Sequence, residues 1–477
     1  MPDQRRLGRL MFRRFLVVAE GDSSSSNFAL RLVVLSLDYP QVENDTPLGP
    51  RADLSPPSRR SACQNPTLVA GPTPMIGHVA LVNCSSERFI CPDGVPPMTS
   101  ELSGRRTVAS WAHWQASDAY TVGLEEEVML LDAEHDWALA RRVDEVIPAL
   151  TPGLAVHVSA ETQNSVLELA SSPHHSAAAA AAQARELRTR LVAELNPMGL
   201  WAAAAGTHPL AVWTETRISG GERHQTVYEL MRELARREPT FGLHVHIGVG
   251  DPDAAVTLYN RLRPHLPLLL ALSANSPYWQ GRDSGLASAR TPIFQAFPRV
   301  GIPRPFDSYE GYVEAIDLLL RCQAIPEPNH LWWDVRLQPR FGTVEIRIMD
   351  VQSSPDFTHA LVGLVQTIAH LELEEGFHTS PLSGQNEVLI ENRFSASRDG
   401  MHALLIDPLT ETRVRADAVM EALLEAARPH AQQLGCESAL DTAADLAAAN
   451  GAYRQRAMLA QTGDLADVVA GLAGEFA

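Results

Sequence analysis

Apolar and polar positions alternate irregularly up to about residue 115 and regularly after it. In the first part, short apolar runs such as Leu32–Leu37, which could form a strand, are separated by proline and serine clusters (S-S-S-S, D-L-S-P-P-S-R-R, G-P-T-P). Residues 1–115 are therefore read as a poorly ordered N-terminal extension, or as translated sequence upstream of a true start near Met98. Residues 116–477 are read as one domain. Its first regular stretch is Y-T-V-G-L-E-E-E-V-M-L-L-D, from Tyr120 to Asp132. As a strand it places Val122, Leu124, Val128 and Leu130 on one face and Gly123, Glu125 and Glu127 on the other.

The alternation recurs. An exposed stretch runs to Pro152, then Glu161 leads through a bend at Gln163 and Asn164 into S-V-L-E-L-A, with Leu167 and Leu169 opposite Val166 and Glu168. F-G-L-H-V-H-I-G-V sets Leu243, Val245, Ile247 and Val249 against Gly242, His244, His246 and Gly248. L-W-W-D-V-R-L and G-T-V-E-I-R-I-M-D-V read as adjacent strands carrying Asp334 with Arg336, and Thr343 with Glu345 and Arg347. A short strand is expected at 202–209. Helices are expected from Ser176 to Leu195, from Gln225 to Arg237, from Asp251 or Asp253 to about Ser273, and from Ser308 to Cys322. The tail from Phe357 reads as helical, broken by a polar loop at 391–400, and no internal repeat is visible.

The polar faces of five predicted strands together hold Glu125, Glu127, Glu168, His244, His246, Asp334, Arg336, Glu345 and Arg347. Two carboxylates two positions apart repel unless a cation or an arginine lies between them. Hard divalent cations take such oxygen ligands. Glycines on the same faces would let a ligand approach the backbone. The set suits a metal-bound polyphosphate, with carboxylates holding metal and arginines neutralising phosphoryl oxygens. Singly, each piece has an ordinary structural reading: a half-buried histidine pair, or a cross-face ion pair of little worth. Trp332–Trp333 reads as core, and His174–His175 carries no assigned role.

Composition narrows the classes. A formal net charge of −18 disfavours nucleic-acid binding. No apolar run is long enough to span a bilayer, and the N-terminal apolar stretch is too short for a secretory signal. The 5 cysteines show no CxxC pairing, so neither a zinc ribbon nor a disulfide framework is indicated, and a cytoplasmic location is expected. There is no lysine anywhere in the sequence. Walker-type P-loops, protein kinases and Schiff-base enzymes are thereby excluded, and any phosphate chemistry falls to arginine and metal ions.

From about Tyr120 to Arg398 the chain resembles the glutamate–cysteine ligase type 2 family, and within it the ATP-dependent carboxylate–amine ligases. The resemblance rests on T-V-G-L-E-E-E, A-A-G-T-H-P, G-L-H-V-H-I-G-V, L-A-L-S-A-N-S-P, W-W-D-V-R, G-T-V-E-I-R and E-N-R, in that order. It implies an α+β fold, a curved antiparallel sheet backed by helices and similar to glutamine synthetase and the guanido kinases. It implies magnesium ligands at Glu125, Glu127, Glu161, Glu168, His244 and Glu345, and catalytic arginines at Arg347 and Arg336. His246, Ser288, Arg290 and Arg393 would contact nucleotide or substrate. The implied partners are Mg2+, ATP and small carboxylate and amine substrates such as glutamate and cysteine, joined through an acyl phosphate, in a chain that could form a homo-oligomer. Leu286 and Ala289 around Ser288, and Phe297 where tryptophan is usual, depart from the family pattern and bear on the amino-acid pocket. Two alternatives stand beside this one. The first is a nucleotide-binding relative without turnover. The second is a metal-dependent amidohydrolase using the HxH pair, which would need a βα barrel.

Overall fold

The 11 residues from Val122 to Asp132 form the central strand, β1, of an 8-stranded sheet. The computed structural model describes residues 109–237 and 239–477, together with the backbone of a hairpin, Phe15–Glu20 paired antiparallel with Ala29–Val34. The hairpin belongs to a separate unit, Met1–Thr99. Ala29–Val34 covers the start of the strand expected at 32–37. The rest of that expectation, and most of the expectation for 1–115, lies outside the described residues. The end of that segment is packed onto the domain: Trp114 Nε1 donates to Val249 O at 3.0 Å and Tyr309 Oη to Ala112 O at 2.6 Å.

The remaining strands are β2 (Ala138–Leu139), β3 (Val158–Ala160), β4 (Val166–Ala170), β5 (Trp201–Ala203), β6 (Gly242–Gly248), β7 (Val335–Gln338) and β8 (Thr343–Asp350). They run in the order β7-β8-β6-β1-β4-β3, with β2 and β5 on the far end of β1, and every pairing is antiparallel. One face follows the predicted alternation: Leu124, Val128, Leu167, Leu169, Val245, Ile247, Val344 and Ile346 are all buried. Helices cover it. They include α1 (Val143–Ala149), α2 (Ala177–Leu195), α4 (Pro252–Leu262), α5 (Leu266–Ser273), α6 (Tyr309–Arg321), α7 (Pro355–Glu374) and α8 (Asn386–Asp399), whereas α3 (Glu222–Met231) borders the opposite, polar face. Ser176, Asp251, Ser308 and Ser354 cap α2, α4, α6 and α7 by accepting from first-turn amides.

The middle glutamate of E-E-E faces these helices. Glu126 is fully buried, and Arg188 of α2 meets it at 2.6 and 2.9 Å. The same guanidinium donates to the carbonyls of Gln352, Ser353 and Phe476, so one arginine ties β1, the start of α7 and the C-terminus together.

Several expected elements differ. The 391–400 loop is the end of α8; its polar residues are spent on partners, Asn392 bonding Ile406 through both side-chain atoms. Ile406 lies in a hairpin, Leu404–Asp407 with Thr412–Arg415, that the helical reading of the tail missed. The strand at 202–209 shrinks to β5. The helix expected to reach Arg237 ends at Met231, because Arg232 takes φ 55° and the chain continues as a 3-10 turn. L-W-W-D-V-R-L is two strands: Trp332–Trp333 pairs in parallel with Val300–Gly301, and only Val335–Gln338 joins β8. The stretch before Pro152 holds β2 and α1, whose Val143 and Val146 are buried rather than exposed.

Candidate active site

On the face away from the helices, register decides who meets whom. Glu125 stands opposite His244, Glu127 opposite Glu168, Glu345 opposite His246, and Arg336 opposite Glu345. Directly opposed residues have their Cβ atoms about 5 Å apart, so five neighbouring strands deliver their charged groups to one patch. His244 Nδ1 lies 3.2 Å from Glu125 Oε2, and His246 Nε2 lies 3.4 Å from Glu125 Oε1 and 4.0 Å from Glu345 Oε1. Ligand atoms of Glu125, His246 and Glu345 fall within 4.8 Å of one another, as do those of Glu125, Glu168 and His244. Glu125 belongs to both trios.

Glu345 is fully buried and held by three donors: Arg336 Nε at 2.5 Å, Gln338 Nε2 at 2.7 Å, and Arg347. The β8–β6 register shifts between Ile346 and Met349, a bulge around Arg347. Bulges re-aim side chains near active sites; this one leaves Arg347 on the same patch as Glu345 and within 3.4 Å of His244 Nδ1.

Crowding sets the charge states. Burial pushes the Glu168 carboxyl well above its ordinary value, and Glu161, Glu125 and Glu127 push the same way. Burial also raises Glu127, with Arg290, the Gly242 amide and Arg347 only partly offsetting it. Glu125 goes down: burial opposes this, but the hydrogen bond with His244 and the nearness of His246 outweigh it. Glu345 is held far down, Arg336 and Arg347 overcoming its burial. His244 is lowered to about 4 by burial and by Arg347. His246 is raised, Glu345 and Glu125 overcoming burial. A patch with one carboxyl pushed towards its neutral form by three others gains from a cation. His246 Nε2 points the same way, being buried with no hydrogen-bond partner while Nδ1 sits 3.0 Å from Thr343 Oγ1.

The patch floors a cavity of about 250 Å3 lined by Glu125, Glu127, Glu161, Glu168, His244, Arg290, Arg336, Arg347 and Arg393. Glu161 stands just past β3, its carboxylate turned back to its neighbour's amide at 3.1 Å. Arg393 reaches the cavity from α8 and pairs with Asp334 at 2.6 Å. Arg290 is anchored to the carbonyls of Ile348 and Arg347. Ser288 is not among the lining residues. It is buried and bonds Asp350 Oδ1 at 3.0 Å, beside Ser276 and the Asn275 amide on the same carboxylate. Its role is to satisfy a buried aspartate at the end of β8.

Two of the glycines serve the protein rather than a ligand. A Cβ on Gly242 would lie 2.4 Å from Arg290 Nη2, and one on Gly248 would lie 2.1 Å from Thr121 Oγ1. Sequence reasoning missed Gln338, Arg223 and His224, the last two reaching the cavity from α3. It also placed Trp332 in the core, whereas Trp332 lines the cavity with Phe294 and Phe297. Only Gln338 carried a signal, its place in phase with Arg336 on β7.

Among the described residues the eight strands of this sheet, all antiparallel, form no βα barrel of the kind an amidohydrolase-type site needs, and their polar face carries an acidic, arginine-rimmed centre. A solved glutamate–cysteine ligase from Francisella tularensis, in complex with AMP, shares the fold at TM-score 0.57 and 12% identity, covering 76% of this chain and 90% of that one. A bifunctional glutathione synthetase from Pasteurella multocida superposes at TM-score 0.57 with 14% identity, covering 75% of this chain and 52% of that one. The family model for glutamate-cysteine ligase family 2 matches residues 121–471. "Putative glutamate--cysteine ligase 2-1" of Rubrobacter xylanophilus is 38% identical over 356 residues, 74% of this chain and 94% of the relative. "Putative glutamate--cysteine ligase 2" of Sorangium cellulosum is 36% identical over 329 residues, 68% and 86% respectively. The chain belongs to glutamate-cysteine ligase family 2, and so to the enzymes that form carbon–nitrogen bonds. Among the described residues no helix is long and apolar enough to cross a membrane.

Proposed function

We propose that this chain is an ATP-dependent carboxylate–amine ligase, with glutamate and cysteine as the first pair to test. The observation that carries the reading is the pair of ligand trios sharing Glu125: Glu125, Glu168 and His244 line the cavity together with five arginines, and His246 and Glu345 lie behind Glu125. The carboxylates supply the oxygen ligands that magnesium takes, and the imidazoles stand at the edge of each set. Glu125, Glu345 and His246 would hold one ion, and Glu125, Glu168 and His244 another. When bound, magnesium supplies neutralisation of the charge on ATP's phosphates.

The chain's own groups do the rest. A substrate carboxylate oxygen attacks the γ-phosphorus, the bond to the ADP oxygen breaks, and an acyl phosphate forms. The amine nitrogen then attacks the acyl carbon, phosphate leaves, and the amine gives up a proton to yield the amide. Arg347 and Arg336 lie where they can neutralise the phosphoryl oxygens, as positioned cations do in phosphoryl transfer. Phe294, Phe297 and Trp332 provide an apolar wall that excludes water from the acyl phosphate.

The test is ADP release from magnesium-ATP with amino acids offered singly and in pairs. ADP that requires a carboxylate and an amine together, with matching amide, supports the reading. ATP binding without turnover for any pair would leave a nucleotide-binding relative instead.

A further inference from the structure

A second polar cluster lies away from this cavity. Glu372 is in the last turn of α7, His265 ends the 3-10 turn Arg263–His265 after α4, and His378 is in the loop leaving α7. His265 and Glu372 are buried, His378 only partly, and none of the three lines the ligase cavity. His265 Nε2 is 2.5 Å from Glu372 Oε1. His378 Nδ1 is 3.1 Å from His265 Nε2 and 3.2 Å from Glu372 Oε1. Atoms from three separate places meet at one point.

The loop is shaped to bring them there. Gly376 takes φ +80°, and a Cβ on it would lie 2.7 Å from Thr379 Cγ2. That turn folds the chain back so that the amides of Phe377 and His378 donate to Glu372 Oε2 at 3.0 and 3.2 Å. The His378 amide is equally 3.2 Å from Oε1, the oxygen that also faces the two imidazoles. Arg261 and Arg263 flank the cluster, but Arg261 donates to the backbone carbonyl of Glu372, and Arg263 to Pro303 O, Gly384 O and Asn386 Oδ1.

Protons serve this arrangement poorly. Two ring nitrogens face one carboxylate oxygen and also each other, so two N–H groups aimed at Oε1 would crowd together. A single cation satisfies all three atoms at once. We propose that His265, Glu372 and His378 form a zinc site, its fourth position open on the solvent side at His378. Two imidazoles and one carboxylate are a set that zinc takes with an open position, whereas magnesium prefers oxygen throughout. The ion fastens the 375–385 segment to α7. That segment leads into α8, the helix that carries Arg393 into the ligase cavity.

The experiment uses the full chain, stripped with a chelator and titrated with Zn2+ in millimolar Mg2+; zinc taken up by the cavity trios is common to wild type and variant, so the difference between the two proteins is what is read. Wild type is expected to bind one more zinc equivalent than His378→Ala, or to bind it more tightly by at least the ~10–100-fold that loss of a supporting group costs. Cobalt-loaded wild type should show tetrahedral d–d bands that His378→Ala lacks, and zinc should slow amide exchange at 375–385. Equal stoichiometry and affinity in both proteins would overturn the site and leave a cluster held by protons. If His378→Ala does not fold, zinc-edge absorption of wild type decides. At one zinc equivalent, a shell with two imidazole nitrogens supports the site, and a shell with one or none, as the cavity trios would give, overturns it.

Discussion

Removing Arg188 tests whether the middle glutamate of E-E-E is structural while its neighbours are chemical. Arg188→Met keeps the volume of the side chain but takes away every donor. It leaves Glu126 in the core with only the Thr358 hydroxyl at 2.8 Å, and three buried carbonyls lose a donor. Breaking a buried ion pair by deleting one partner costs about 3–5 kcal/mol, and each orphaned carbonyl adds up to about 1–3 kcal/mol where water cannot reach it. Arg188→Met should therefore lose about 4 kcal/mol or more in urea unfolding followed by tryptophan fluorescence. Glu126→Gln retains the arginine's carbonyl partners and should cost less. In Glu126→Leu/Arg188→Met no carboxylate is buried unpaired, so the double variant should be more stable than the sum of its singles predicts, by about 1–3 kcal/mol. Neither side chain reaches the cavity, so nucleotide affinity at low temperature should change little in either single variant. A loss below about 1 kcal/mol for Arg188→Met, or strict additivity in the cycle, would refute the reasoning.

Three other expectations follow from the geometry. Glu127→Gln keeps an acceptor for the Gly242 amide, now 2.5 Å from Glu127 Oε2, but removes a charge; magnesium-ATP binding by calorimetry should be lost while the melting temperature moves little, and retained tight binding would take Glu127 out of the site. Gly242→Ala drives a methyl group against the Arg290 guanidinium, which its two carbonyl partners hold in place; overpacking of this kind costs about 1–3 kcal/mol, and a normal melt with normal ATP affinity would show that Arg290 moves freely. His208 is buried and lowered to about 4, with Nε2 donating to Trp137 O and Nδ1 accepting from the amides of Leu210 and Ala211. A depressed histidine binds its proton in the unfolded chain first, so stability should fall as pH drops from about 6.5 to 4, by up to about 3 kcal/mol from this residue. His208→Gln should flatten that slope in melts across the window by up to one proton, and parallel wild-type and variant curves would refute the assignment.

The candidate patch was legible in the sequence because strand alternation is a local rule. Once Glu125, Glu127, His244, His246, Glu345 and Arg347 each read as polar positions on strands with apolar backs, any antiparallel pairing of those strands collects them on one face. What stayed hidden depends on contacts between distant parts of the chain. Ser288 sits in a motif that looks like a binding loop, and only the fold shows Asp350 behind it. The 391–400 stretch is polar enough to read as a loop because its polarity is met by the hairpin at Ile406 and by Asp334, not by water. Glu126 carries the same point furthest. Alternation alone places it among Val122, Leu124 and Val128, where a charge is costly, and a purely local reading treats it as one more acid on a solvated edge. Its cost is met by an arginine 62 residues away, itself bonded to the carbonyl of Phe476 at the far end of the chain. A carboxylate at an apolar phase of a strand is thus a statement that a buried cation exists somewhere in the sequence. In a chain without lysine that cation can only be one of 39 arginines or a histidine, and the fold alone says which.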